Sequence, residues 1–393
     1  MTENQLIINA GDHVIVQRQG YTKLHKLKQH GNMAIGKFTV EMDNVLGMRY
    51  FDTFQMKKSP NGKKLFVLER VSDSGSTINN LNIEKSGLDN RDITVEEDTQ
   101  ALTKDDIDKL QDSELNSNTI IGELVNNSKT FNMKTEYSQE KYIKKKEKKY
   151  FEYIQLRRPT IRLLCNMFYR QDPTKTLGIR IDDLSQILTY ANIQSEGNHM
   201  LYDSGTSGLM VASVMNAIGQ QTSGTLIHMH PGNECQKNAF VAMQFPEEQR
   251  NRCINVNLYS VLRHYYQSED PPCKKAKVDE PQKVPQWQLD NVKACEILTN
   301  KCDSLIVTCK EHPVNIVKEL LPFLRGARQL VVFSLIREPL QDLFLYLKSR
   351  LDIVAIRLSN NFLRNYQVLP ERTHPEVNMN SGGYILTAVK LNC

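Results

Sequence analysis

No apolar run in the 393 residues is long enough to span a bilayer, so there is no candidate transmembrane helix. The first ten residues carry Glu3 and lack both a basic start and an apolar core, so no signal peptide is expected. None of the eight cysteines forms a C-x-x-C pair. Scattered thiols in a chain this long read as reduced and intracellular, and exclude a disulfide framework or a zinc ribbon. A strong charge of one sign is also lacking. The net charge of +5 and a pI near 8.6 permit a polyanionic partner without requiring one, so the charge distribution has to decide. What is present is ordinary for a globular protein: 40% hydrophobic and 24% charged residues, with length for two or three domains and a full core.

The pattern of residues predicts three regions. Residues 1–95 read as a small β-barrel-like domain. Short β-branched and aromatic runs at 7–8, 13–17, 34–42, 53–56 and 65–68 are separated by turn signals such as Gly11-Asp12, Gly31-Asn32 and Pro60-Asn61-Gly62. Residues 72–87 are rich in Ser, Asn and Gly and read as a linker. Residues 96–195 read as a helical region. Thr103 followed by Asp106 resembles a capping box, and Ile107, Leu110, Ile120, Ile121, Leu124 and Val125 suggest short helices around a break at 116–118. A third helix follows. Lys141, Lys144, Lys145 and Lys148 share about 100° of arc, while Ile143, Tyr150 and Ile154 fall on the opposite side, and Pro159 is expected to end the element.

Residues 196–393 alternate strands with helices. Strands are predicted at 199–203, 225–229, 304–308, 329–335, 352–358 and 384–390, and helices at 209–218, 289–300, 313–324 and 339–349. That alternation predicts a parallel, doubly wound, Rossmann-like sheet of the methyltransferase type. Residues 267–286, rich in Pro, Lys and acidic residues, read as an exposed insertion.

The first strand-to-helix turn of that sheet reads Asp203-Ser204-Gly205-Thr206-Ser207-Gly208-Leu209. A nucleotide-binding sheet carries glycines there so that backbone N–H groups can approach a cofactor. S-adenosylmethionine-dependent methyltransferases usually show an acid followed by G-x-G-x-G. Only Gly205 is in place, with Ser207 and Leu209 at the second and third glycine positions. The second strand should end in a carboxylate for the ribose, but reads Ile227-His228-Met229-His230 with no acid before Glu234. The fourth ends Thr308-Cys309-Lys310-Glu311-His312-Pro313, without the Asn-Pro-Pro or Asp-Leu-Pro turn of amine-methylating enzymes. Two readings stay open: a degenerate pocket that binds no cofactor, or an active methyltransferase with an atypical pocket held by Gly205 and Asp203.

Other candidates have plain alternatives. His228, His230 and Cys235 could ligate a metal, but a further ligand at sensible spacing is missing. Cys295, Cys302 and Cys309 read as buried small hydrophobes. The lysine stripe, continued by Lys149, Arg157, Arg158 and Arg162, is either a solvated face or a phosphate-neutralising surface. Lys274, Lys275 and Lys277, in the insertion, fit a nuclear import signal.

Three segments together resemble one family. The first is Asp89-Asn90-Arg91-Asp92-Ile93 with Gln100-Ala101-Leu102-Thr103. The second is Lys141-Tyr142-Ile143-Lys144-Lys145-Lys146. The third, and most specific, runs through Arg357-Leu358-Ser359, Leu363-Arg364-Asn365-Tyr366-Gln367-Val368-Leu369-Pro370-Glu371-Arg372 and Ser381-Gly382-Gly383-Tyr384. They resemble the non-catalytic subunit of the eukaryotic tRNA adenine-58 N1-methyltransferase. The resemblance implies no catalysis by this chain alone and no cofactor bound by it. It also implies a paralogous catalytic partner that binds S-adenosylmethionine, two copies of each subunit, and tRNA held across both kinds. By matching position, Asn90, Arg91, Lys145, Lys148, Lys149, Arg180, Arg357, Arg364, Asn365, Tyr366 and Arg372 would touch tRNA. Lys141 and Lys144 join them from the stripe. Arginines near an aromatic ring suit RNA, although Tyr366 followed by Val-Leu-Pro equally suits core packing.

Overall fold

A computed structural model describes residues 6–18, 20–36, 38–59, 65–71, 86–87, 100–112, 117–150, 153–267, 284–368, 373–376 and 382–392. The side chains of residues 104, 108, 111–112, 117–118 and 147–150 lie outside that description. The chain divides into two units, Met1–Arg158 and Pro159–Cys393.

The first unit begins with β1 (His13–Arg18), β2 (Tyr21–Lys26), β3 (Asn32–Ile35), β4 (Phe38–Glu41), β5 (Thr53–Lys58) and β6 (Leu65–Val71). The stretch 34–42, which reads as one strand, is the β3–β4 hairpin, turned at Gly36 with φ +60. That left-handed conformation suits glycine, which has no Cβ to clash. Alternation sets the faces: Phe54 and Met56 of β5 are buried, while Gln55 and Lys57 on the other face are not. The buried faces join Val14, Val16, Leu27, Met33, Val40 and Leu68 in one core.

Three helices follow, α1 (Lys104–Asp112), α2 (Ser117–Asn126) and α3 (Glu136–Tyr150). The Thr103–Asp106 pair caps α1 reciprocally: Thr103 N donates to Asp106 Oδ2 at 3.2 Å and Asp106 N to Thr103 Oγ1 at 3.3 Å. Ile143 of α3 is fully buried against Ile120, Ile121, Leu124 and Phe131, a burial that stabilises by about 1.5–3 kcal/mol.

Ile154 does not extend this helix. The chain turns instead into β7 (Tyr153–Arg157), which pairs with both β1 and β5 in the sheet order β2-β1-β7-β5-β6-β4-β3. Ile154 and Leu156 enter the sheet core. Two flanking strands satisfy the backbone of β7, and this pairing outweighs the helical spacing. The region 96–195 is therefore divided: β7 belongs to the first sheet and the helices after Pro159 belong to the second unit.

In the second unit, α4 (Ile161–Gln171) starts at Thr160, whose Oγ1 accepts from Leu163 N at 3.3 Å. Then come α5 (Ile181–Ala191), β8 (Asn198–Asp203), α6 (Leu209–Ile218), β9 (Thr225–His230), α7 (Asn238–Ala242), α8 (Glu247–Asn251), β10 (Cys253–Asn257), α9 (Leu258–Gln267), α10 (Gln286–Thr299), β11 (Cys302–Thr308), α11 (Pro313–Leu320), β12 (Leu324–Ser334), α12 (Glu338–Lys348), β13 (Ile353–Asn360), the β14 (Tyr366–Val368) and β15 (Thr373–Pro375) pair, and β16 (Tyr384–Lys390). The sheet order is β10-β9-β8-β11-β12-β16-β13. Its first four pairings are parallel, and β16 runs antiparallel between β12 and β13. Every residue of β11 is buried, as a central strand covered on both faces requires. The result is the expected Rossmann-like α/β sheet, with one strand, β10, that the sequence pattern did not bring out.

Candidate cofactor loop and nucleic-acid interface

The turn from β8 into α6 carries two successive residues in the left-handed region. Ser207 has φ +55 and Gly208 φ +77. A left-handed serine costs about 1–2 kcal/mol, so the glycine-like path persists without the glycine. The Gly205, Thr206 and Ser207 donors, however, are taken by the chain itself. Asp203 Oδ1 accepts from Gly205 N and Thr206 N, each at 3.0 Å, and its other oxygen meets Thr206 Oγ1. Gln236 Oε1 accepts from Ser207 N at 2.8 Å. Ser207 Oγ donates to Lys175 O at 2.8 Å.

Side chains and backbone also stand close against the loop's glycines. A Cβ on Gly205 would fall 2.7 Å from Lys310 Cε and 3.1 Å from Leu177 Cδ2. One on Gly208 would fall 2.8 Å from Lys237 Cα. Leu209 is fully buried in α6, so the bulk against Gly205 comes from Lys310 and Leu177 and not from Leu209. At the end of β9, His228 and His230 are buried, and burial holds both below the ordinary imidazole value of 6.5. No carboxylate ends that strand; Glu234 beyond it is exposed. At the end of β11, Cys309 and Lys310 line a cleft of about 350 Å³ with Leu177, Phe333, Leu335 and Ile336.

His228 Nδ1 pairs with Asn255 Oδ1 at 2.8 Å, and among the described residues no group of three or more His, Cys, Asp or Glu is placed to hold a metal. Burial pushes the Cys302 and Cys309 thiols up to about 12 and Cys295 up to about 11, so all three stay protonated.

The basic candidates separate by exposure. Lys141, Lys144 and Lys145 of α3 are exposed opposite buried Ile143, and Lys144 pairs with Glu140. On the second unit, Arg357, Arg364, Asn365 and Tyr366 are exposed. Tyr366 is 53% exposed, which argues against core packing. The Arg364 guanidinium lies 5.2 Å from the ring centroid of Phe362, itself 81% exposed. Arg180 is different. It is 4% exposed, donates to Asp182 at 2.9 and 2.7 Å and to Asn361 O at 3.1 Å, and so cannot reach a phosphate. Asp183, fully buried, accepts from Asn361 Nδ2 at 2.7 Å. Sequence reasoning missed this anchor. Its near half was visible as Arg180-Ile181-Asp182-Asp183, but Asn361 lies far along the chain. Asn90, Arg91, Arg372, Lys274, Lys275 and Lys277 lie outside the described residues, and Lys148 and Lys149 have undescribed side chains.

Known proteins resemble this chain in sequence and in fold. A mouse tRNA (adenine(58)-N(1))-methyltransferase non-catalytic subunit TRM6 is 27% identical, covering 97% of this chain and 88% of its own. The Dictyostelium discoideum protein of the same name is 28% identical, covering 98% and 80%. Among solved structures, an S-adenosylmethionine-dependent O-methyltransferase from Thermotoga maritima shares the fold, with a TM-score of 0.52 at 11% identity over 100% of this chain and 97% of that one. Residues 7–293 match the Gcd10p family, and the chain belongs to it.

Proposed function

We propose that this chain is the non-catalytic, tRNA-binding subunit required for N1-methylation of adenine 58 in tRNA, and that it does not methylate alone. The observation that carries this reading is the loop at 203–209. Its N–H groups are bonded to Asp203 and Gln236, and Lys310 and Leu177 stand against Gly205. The methyl donor implied by the fold needs free donors there and a carboxylate at the end of β9. The residues present do not fit it, and this chain binds no cofactor. The shared name of the mouse and Dictyostelium relatives supports the same reading. The alternative, an active enzyme held by Gly205 and Asp203, is disfavoured because Asp203 is committed to its own loop.

The donor is then bound by a partner, a paralogous catalytic subunit, assembled as two copies of each. The exposed lysines of α3 and the group Arg357, Arg364, Asn365 and Tyr366 contact tRNA through phosphates and unpaired bases. Asn90, Arg91, Lys148, Lys149 and Arg372 belong to the same proposal; Arg180 acts as an anchor and not as a contact. The first sheet is barrel-like, and Lys274, Lys275 and Lys277 direct the chain to the nucleus.

A donor-binding titration tests this. Labelled S-adenosylmethionine dialysed against the assembled complex should occupy one site per pair of subunits, and none on this chain alone. Two sites per pair would contradict the reading.

A further inference from the structure

A cavity of about 600 Å³ lies at the carboxyl ends of β9 and β10, within the range of roughly 300–1,000 Å³ typical of small-ligand sites. Two aromatic side chains stand at it: Tyr259 of α9, 73% exposed, and Trp287 in the first turn of α10, 41% exposed. Polar groups reach it from four elements. His230 ends β9, Asn255 lies in β10, and Ser260 and Asn291 face each other from α9 and α10. Asn291, 2% exposed, donates Nδ2 to Ser260 Oγ at 2.7 Å, which fixes the amide. His230, 7% exposed, closes the cavity at the end of β9.

The charge of the cavity narrows the ligand. Among the described residues, no Lys, Arg, Asp or Glu lines it. A phosphate or an ammonium group would find no countercharge there. A flat neutral group with apolar faces and a polar edge meets all the features present, because every base has a π-face to stack and an edge to hydrogen-bond.

We propose that this cavity binds a nucleobase. The ring stacks on Tyr259 with Trp287 beside it, and its polar edge meets His230 and the fixed amide of Asn291. The base comes either from a free nucleoside or from an unpaired stretch of RNA. This rests on the closed loop at 203–209 in one respect: the closed loop is why the ligand is a base or nucleoside and not the complete methyl donor.

Trp287 is the one tryptophan in the chain, so its fluorescence reports directly on the cavity. The full chain would be titrated with adenosine, guanosine, cytidine and uridine, then with S-adenosylmethionine, then with a single-stranded oligoribonucleotide and its duplex. Saturable quenching is expected. Tyr259→Ala should weaken it about fivefold to hundredfold, the cost of losing one stacking partner, with no change in melting temperature. Quenching by nucleosides assigns a free-nucleoside site; quenching by the single strand alone assigns an unpaired RNA base. If no ligand quenches, and equilibrium dialysis with labelled adenosine finds no binding, the proposal is wrong. It is equally wrong if Tyr259→Ala leaves every affinity unchanged. Should S-adenosylmethionine bind a hundredfold more tightly than adenosine, the cavity stands, but the reading of this chain as unable to hold the donor fails.

Discussion

Asp203 occupies the position at which an acid precedes the glycine loop of a methyltransferase, yet its oxygens face inward to the loop's own N–H groups. Its work is structural. Asp203→Ala should lower unfolding free energy by about 3 kcal/mol, the scale of two bonds to a charged acceptor, while the assembled complex keeps its methylation rate below the new melting temperature. Loss of turnover in a complex that remains folded would restore a catalytic role. Arg180 makes a comparable distinction. As a buried guanidinium between Asp182 and Asn361 it should cost about 3–5 kcal/mol on truncation to Ala, measured by urea unfolding. An Arg180→Ala chain that melts normally and merely binds tRNA less well would contradict the anchor. The buried histidines give a pH signature. Burial holds His199 and His228 below 6.5, so the unfolded chain takes up their protons more readily than the folded one. Stability from these groups is complete above pH 6.5 and is lost as pH falls below it. Urea midpoints at pH 7.5 and 5.5 should differ in that sense, and His199→Gln should narrow the gap; an unchanged gap would remove His199 from the account.

Among the elements, α3 shows what spacing can and cannot reveal. Ile143 buried and Lys141, Lys144 and Lys145 exposed follow from a 3.6-residue period. Ile154 shares that arc, but belongs to β7, because its partner Phe54 of β5 and the β1 strand that pairs with β7 both lie far earlier in the chain. Local periodicity carries no information about such partners. The strands of the second sheet were legible where apolar residues run continuously, as in β11. β10 was not: Cys253-Ile254-Asn255-Val256-Asn257 places an asparagine at every second position and spans one short strand. The self-bonded loop at 203–209 was half legible. Missing glycines and a missing carboxylate could be read directly, whereas Lys310 and Leu177 standing against Gly205 needed the fold. If the α3 stripe meets phosphates, Lys→Ala at 141 or 145 should reduce the salt dependence of tRNA binding by roughly 0.7–0.9 in log–log slope per lost contact. Lys144, paired with Glu140, should change it least. Equal slopes in all variants would leave the stripe a solvated face.

At the scale of the molecule, the second unit is a Rossmann-like sheet whose first strand-to-helix loop bonds its own N–H groups to Asp203 and Gln236. Exposed basic and aromatic groups occur on both units, in α3 of the first and around Arg357, Arg364 and Tyr366 of the second. That combination suits a subunit that supplies RNA-binding surface to a catalytic partner. The most direct measurement is methyl transfer to tRNA by this chain alone, by the catalytic partner alone, and by the two co-expressed. The account predicts transfer by the pair and none by this chain. Methylation of adenine 58 by this chain in isolation, with no partner present, would contradict it.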